Sequence, residues 1–265
     1  MTRYRATLAY DGTAYQGFQR QGGGTPTIQG ALEEALARVT GQPVIVIGAG
    51  RTDTGVHATG QVIAFDAAWR HSDAELLRAL NAVLPDDIAL QDISQQPGFH
   101  PRFDAVARLY TYDVLNTPQR QPLLRCRAWH VWTPLDRDAL CAAAALLVGE
   151  HDFATFGQPP RGTNTVRTVL RSEWAAQPVS GGALLTYTIE ANAFLQHMVR
   201  RIVGMLVDVG RGALTLAQFE AAFRAADLAQ AGALAPPHGL VLAQVRYGPH
   251  PRPFQRLTGG KRIVC

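Results

Sequence analysis

Residues 44–62 read VIVIGAGRTDTGVHATGQV, and the fold turns on what the glycines of that stretch are for. Four β-branched residues, Val44–Ile47, deliver the chain into a loop holding Gly48, Gly50, Gly55 and Gly60, with Arg51, Asp53 and His57 among them. A strand running into Gly48-x-Gly50 invites a dinucleotide-binding fold. The third glycine of GxGxxG, however, falls on Asp53, and a carboxylate there repels a pyrophosphate. The spacing Gly50-xxxx-Gly55 mimics a P-loop, yet Val56 and His57 stand where a lysine and a hydroxyl residue are required. Both nucleotide readings fail at the residue that carries the chemistry. What remains is Arg51-Thr52-Asp53 framed by glycines, which permit a backbone that presents one short side chain rigidly. A nearby arginine favours the ionised carboxylate, and a fixed, ionised aspartate acts as nucleophile or base. The alternative is an aspartate that caps a turn by accepting backbone N–H groups.

Outward from the loop, periodicity predicts alternating strands and helices. Arg3–Tyr10 alternates like a strand, Thr25-Pro26 reads as the cap and first position of a helix ending near Gly41, and Gln61–Phe65 leaves the loop as a strand. Ser72 and Glu75 form a capping box before Leu76, Leu80 and Leu84. The pattern then restarts: strand Arg108–Leu115, a helix from Asp136, strands Arg171–Ala175 and Leu184–Glu190, helices Phe194–Val209 and Thr215–Ala226, and strand Leu240–Tyr247. This predicts two α/β-type halves, residues 1–105 and 106–248, followed by a basic Pro/Gly-rich tail, 249–265, expected to be flexible.

The composition is that of a soluble globular chain: 265 residues, 47% hydrophobic, 17% charged, with no apolar run of membrane-spanning length. The net charge of +4 leans toward polyanionic partners, and the basic side chains are arginines apart from Lys261, a balance that suits RNA or simply a GC-rich genome. Three cysteines without CxxC spacing predict neither a disulfide framework nor a cysteine zinc site, which fits a reducing cytoplasm.

Several stretches together resemble the tRNA pseudouridine synthase A (TruA) family. Tyr10-Asp-Gly-Thr-Ala-Tyr-Gln-Gly17, Thr27–Leu36, Gly50-Arg-Thr-Asp-Thr-Gly-Val-His57, Leu84-Pro-Asp-Asp-Ile88, Phe99-His100 with Arg102-Phe103, Tyr110-Thr-Tyr112, Asn192–Arg200 and Pro236-Pro-His-Gly-Leu240 match the family's segments in one order. The resemblance implies isomerisation of uridine to pseudouridine in the anticodon stem-loop of tRNA, at positions 38–40. It implies an α+β fold, two halves sharing a largely antiparallel central sheet, with helices outside and a basic cleft between. It also implies a cytoplasmic homodimer that uses no organic cofactor and no metal. Carried over by position, Asp53 is the catalytic aspartate, Arg51 flips or positions the base, Tyr110 stacks on the target base, and Arg200 pairs with Asp53 from the other half. The route stays open between attack on C1′, removal of the C2′ proton and addition at C6. Arg20, Arg102, Arg108, Arg161 and Arg167 are the candidate RNA phosphate contacts. His57 and His100 lack metal-ligand spacing and read as support or RNA contact. Phe18, Pro101 and Leu109 depart from the family's usual residues, touching packing and RNA affinity. A binding-only tRNA folding helper and a nicotinamide-dependent oxidoreductase are the competing readings. The intact Asp53 set argues against the first, and Asp53 in the third-glycine position against the second.

Overall fold

A computed structural model of the chain describes residues 1–160, 162–248 and 263–264. In chain order the elements are β1 (Thr2–Tyr10), α1 (Ile28–Thr40), β2 (Ile47–Gly48), β3 (His57–Ala67), α2 (Asp73–Asn81), β4 (Ile88–Gln95) and β5 (Ala105–Asn116). There follow β6 (Trp129–Val131), α3 (Arg137–Ala145), β7 (Gly149–Asp152), β8 (Val166–Val179), β9 (Gly182–Ala191), α4 (Met198–Gly210), α5 (Leu216–Arg224), β10 (Leu240–Tyr247) and β11 (Ile263–Val264). Two compact units result: Met1–Val106 with Val241–Gly248, and Ala107–Leu240 with Ile263–Val264. The sequence reading places all of 106–248 in the second half. Most of β10 instead joins the first unit, because it pairs in parallel with β3, Val241 opposite His57 and Leu242 opposite Ala58.

In the first unit, β1 lies between β3 and β4, antiparallel to both, and β2 adds to β3 antiparallel. Tyr4, Ala6, Leu8 and Tyr10 alternate inward along β1, as period-2 patterning requires. Ile28, Leu32 and Leu36 form the buried stripe of α1, and Leu76 and Leu80 that of α2. The capping box at Ser72 and Glu75 forms as expected. In the second unit β9 lies between β5 and β8, antiparallel to both, with β7 and β11 on β8; β6 is parallel to β5. Helices α3, α4 and α5 pack together, and α3 also lies against β8. Phe153, Phe156, Phe219 and Phe223 interlock as tilted ring pairs beneath them. Each buried ring contributes about 1.5–3 kcal/mol. The fold is thus mixed α+β with largely antiparallel sheets, as the sequence predicts. No helix among the described residues is long and apolar enough to cross a membrane.

Three expectations are corrected. The first helix is capped by Thr27, whose hydroxyl accepts from Gly30 N, and not by Thr25. Val44–Ile47 is no strand before Ile47: the backbone partners of Val46 come from side chains of α1, its N–H donating to Glu33 Oε1 and its carbonyl accepting from Gln29 Nε2. The helix read as Phe194–Val209 begins only at Met198, because His197 sits at φ 62°, a left-handed geometry that stops the helix running back. Of the tail, residues 249–262 and 265 lie outside the described residues, while Ile263 and Val264 pair with Ala176 and Ala175 of β8.

Two buried phenols give the fold a pH limit. Tyr112 donates to the Pro236 carbonyl at 2.7 Å, and the Tyr187 hydroxyl pairs with Ser172 Oγ at 2.8 Å. Burial pushes both phenols well above the usual tyrosine range, against smaller opposing effects of Arg200 and the Ser172 hydrogen bond respectively. The unfolded chain releases these protons near pH 10 whereas the folded chain keeps them, so stability is intact below about pH 10 and falls above it. Thermal melts should hold steady from pH 7 to 9 and drop steeply by about pH 11. Tyr187→Phe should flatten that drop; an unchanged pH profile would remove Tyr187 as a cause.

Candidate active-site loop

Strand β2 enters the loop and β3 leaves it, so the two ends of residues 49–56 are held by sheet pairing. Between them the backbone is tied at each step. Ala49 N donates to Val62 O at 2.8 Å, and the Gly50 carbonyl accepts from Gln61 Nε2 at 2.9 Å. The Thr52 carbonyl accepts from Phe18 N at 3.0 Å, Gly55 N donates to Tyr15 O at 3.4 Å, and Val56 N donates to Asp53 O at 3.1 Å. The Thr52 hydroxyl is paired with the Tyr10 hydroxyl at 2.8 Å in a buried position. Gly55, at φ 74°, is the one loop glycine whose backbone lies in the left-handed region.

The YDGT turn at the end of β1 is pressed onto this loop. A Cβ on Gly12 would stand 2.0 Å from the Val56 carbonyl oxygen, and one on Gly17 would stand 2.8 Å from that of Thr52. His57, fully buried, ties turn to loop: its Nδ1 lies 3.0 Å from Gly12 N and 3.0 Å from Asp11 Oδ1. The nitrogen accepts from the Gly12 N–H when bare and donates to Asp11 when protonated. The turn is closed further by Asp11 Oδ1, which accepts from Thr13 N at 3.0 Å and Thr13 Oγ1 at 2.6 Å. The outcome is an Asp53 of intermediate exposure on an immobile backbone, with Arg51 exposed beside it.

The second unit positions the other predicted residues. Tyr110 lies mid-β5 opposite Ile189 of β9, half-buried, its ring edge-on to Phe194 with centroids 5.0 Å apart and planes at 83°. Phe194 sits in the irregular segment before α4, which Asn192 organises by accepting from Thr168 N and Ala193 N. Arg200, in the first turn of α4, donates from Nε to the Ala235 carbonyl at 2.8 Å, and its own carbonyl accepts from Ala235 N.

The candidate phosphate contacts differ in setting. Arg20 is exposed but pairs at 3.1 Å with Glu33, the buried carboxylate that also serves Val46. Arg102 is exposed, and Arg108 donates to the Asn192 carbonyl at 3.0 Å. Arg167 donates to the Asn164 and Val166 carbonyls, and burial lowers its pKa. Arg161 lies outside the described residues. His100 Nδ1 accepts from Arg102 N and Phe103 N, each at 3.2 Å. No cluster of three or more metal-ligating side chains occurs among the described residues.

Sequence reasoning misses Gln61, which is fully buried and holds both ends of the loop's exit, its Oε1 accepting from Val62 N as its Nε2 reaches Gly50. A lone glutamine in a strand pattern carries no signal of this kind. Gln61→Leu leaves the Gly50 carbonyl without its donor and should cost about 1–3 kcal/mol of stability, read from the urea midpoint at constant m.

The family model described as tRNA pseudouridine synthase matches residues 6–104 and 143–248. The tRNA pseudouridine synthase A of Neisseria gonorrhoeae (strain ATCC 700825 / FA 1090) is 43% identical over 247 residues, covering 92% of this chain and 92% of that protein. That of Methylacidiphilum infernorum (isolate V4) is 43% identical over 251 residues, covering 93% and 96%. That of Chloroflexus aurantiacus (strain ATCC 29366 / DSM 635 / J-10-fl) is 44% identical over 244 residues, covering 91% and 87%. With the match running through both the Asp53 loop and the Arg200 helix, the chain belongs to the tRNA pseudouridine synthase family.

Proposed function

We propose that this isomerase converts uridine to pseudouridine in the anticodon stem-loop of tRNA, at positions 38–40, with Asp53 as its catalytic carboxylate. The observation that carries the reading is the Asp53 loop, whose backbone is tied by hydrogen bonds at Ala49, Gly50, Thr52, Gly55 and Val56. A group so fixed loses little freedom when the reacting base arrives. The reaction breaks the N1–C1′ bond, turns the uracil and joins C5 to C1′. The C5 proton leaves and N1 regains one, so no net oxidation or reduction occurs and no redox cofactor is called for.

A uridine stacked in a stem is out of reach, so the base is flipped out, and an aromatic platform repays about 1–3 kcal/mol of the lost stacking. Tyr110, braced edge-on by Phe194, supplies that platform, and the exposed Arg51 holds the flipped nucleotide. Arg200 is the counter-charge for Asp53 in this reading. The reading also includes a cytoplasmic homodimer and phosphate contacts from Arg20, Arg102, Arg108, Arg161 and Arg167.

Unmodified tRNA carrying C5-tritiated uridine tests it: the protein should release tritium, and mapping should place the product at positions 38–40. Binding without release would favour the tRNA folding-helper reading. Release from sites outside the anticodon arm would refute the stated substrate.

A further inference from the structure

Phe103 exposes 77% of its surface, although it sits in a turn that is anything but loose. Asp104 N donates to the His100 carbonyl at 3.1 Å, and Asp104 Oδ2 turns back to accept from His100 N at 2.9 Å. His100 Nδ1 accepts from the next two turn N–H groups, which places the ring proton on Nε2. The turn is anchored on both sides: the buried Pro101 accepts from the Tyr247 hydroxyl at 2.8 Å, and Phe99 packs edge-on against the Tyr247 ring beneath Arg5. On this base the His100 and Phe103 rings stack, centroids 4.2 Å apart and planes at 29°.

Such an arrangement keeps an apolar ring in water at a cost that folding alone does not explain. One face of Phe103 rests on the imidazole, and the high exposure leaves the other open. Its immediate neighbours Arg102 and Asp104 are exposed and charged, whereas the core of a protein interface is depleted of charge. The exposed guanidinium of Arg102 is the complement of a phosphate, and the chain carries a net charge of +4. An open, pre-fixed aromatic face beside an arginine fits a nucleobase, which stacks by its π-face whatever its identity.

We propose that Phe103, supported by His100, is a stacking platform for an unpaired base of the bound RNA, with Arg102 on the adjoining phosphate. This base is a second one, apart from the uridine assigned to Tyr110. The inference rests on the RNA-substrate reading above.

The test compares tRNA affinity, by anisotropy, for Phe103→Ala, Phe103→Leu and Phe103→Trp. Alanine and leucine should each raise Kd about tenfold, while tryptophan stays within about twofold. Phe103→Ala should leave the slope of log K against log salt unchanged, because the ring touches no phosphate, whereas Arg102→Ala should lower that slope by about one. The alanine penalty should vanish for a fully paired duplex of equal length, which offers no unstacked base. Unchanged tRNA affinity in Phe103→Ala overturns the proposal, as does an equal loss on duplex or no tRNA binding by the unmutated protein. A fall in molar mass by light scattering in Phe103→Ala, with RNA affinity retained per subunit, would assign the ring to contact between copies instead. Failure of the isomerase reading looks different: the Phe103 pattern in binding persists while tritium release is absent.

Discussion

Asp53→Asn should lower tritium release from C5-labelled tRNA by about 10⁴-fold or more, the scale seen when a nucleophile or base acting as part of a unit is removed. The substitution is close to isosteric. The loop is held by backbone partners at Phe18, Tyr15 and Val62 and by the side chains of Gln61 and Tyr10, none of which involves the Asp53 carboxylate. The loop should therefore stay in place, and tRNA affinity should remain within about threefold. A neutral amide neither attacks carbon as a carboxylate does nor accepts a proton at neutral pH. Asp53→Glu keeps the charge but moves it by about a methylene, and a displacement near 1 Å costs on the order of 10²-fold. The ordering native, Glu, Asn is the signature of a placed carboxylate. Undiminished turnover by the asparagine variant would remove Asp53 from the chemistry.

Gly12→Ala should have the largest effect on stability of any one-methyl change near the site, about 3 kcal/mol. The added carbon would lie 2.0 Å from the Val56 carbonyl oxygen and 2.7 Å from its carbon. Both are backbone atoms, so no rotamer change relieves the overlap, and the turn must move away from the loop. That movement also breaks the Gly12–His57 contact and shifts Asp53, so turnover should fall together with the urea midpoint. Gly22→Ala is the control: nothing lies within 4 Å of its added carbon and its φ is not positive, so stability should change by less than about 0.5 kcal/mol. Equal behaviour of the two variants would mean that the turn and the loop are not in mechanical contact.

Much of this was readable in the residues themselves. The capping box at Ser72 and Glu75, the alternation of β1 and the stripes of the helices are local signals, and the structure keeps them. Asp53 in place of a third glycine, and Val56 and His57 in place of a lysine and a hydroxyl residue, are enough to reject two phosphate cradles. Where the reading went astray, a distant group had taken over a local role. Glu33 and Gln29 serve the backbone of Val46, which β-propensity had assigned to a neighbouring strand. His197 takes a left-handed geometry that helical periodicity gives no hint of, and the segment before it is shaped by Asn192 and by the Gln158–Gln196 bridge. Arg20 pairs with the buried Glu33, a contact that spacing along the chain does not announce. Gln61 and the closeness of Gly12 to Val56 are properties of assembled strands, which no stretch of sequence displays alone.

Strand β10 bears on how the protein comes to exist. Its pairing with His57 and Ala58 meets β3 at the two residues where the Asp53 loop ends, and Gly60 leaves room for the Ala243 carbonyl by lacking a Cβ. The first unit is therefore discontinuous: a ribosome that has synthesised residues 1–106 has released most of it but not the strand that braces the loop exit. Some 130 residues of the second unit emerge in between, at about 5–20 residues per second, so the loop waits on the order of ten seconds for its final neighbour. The bracing of the loop exit is thus completed late in translation, when β10 arrives, and a chain stalled before it carries Asp53 without that support.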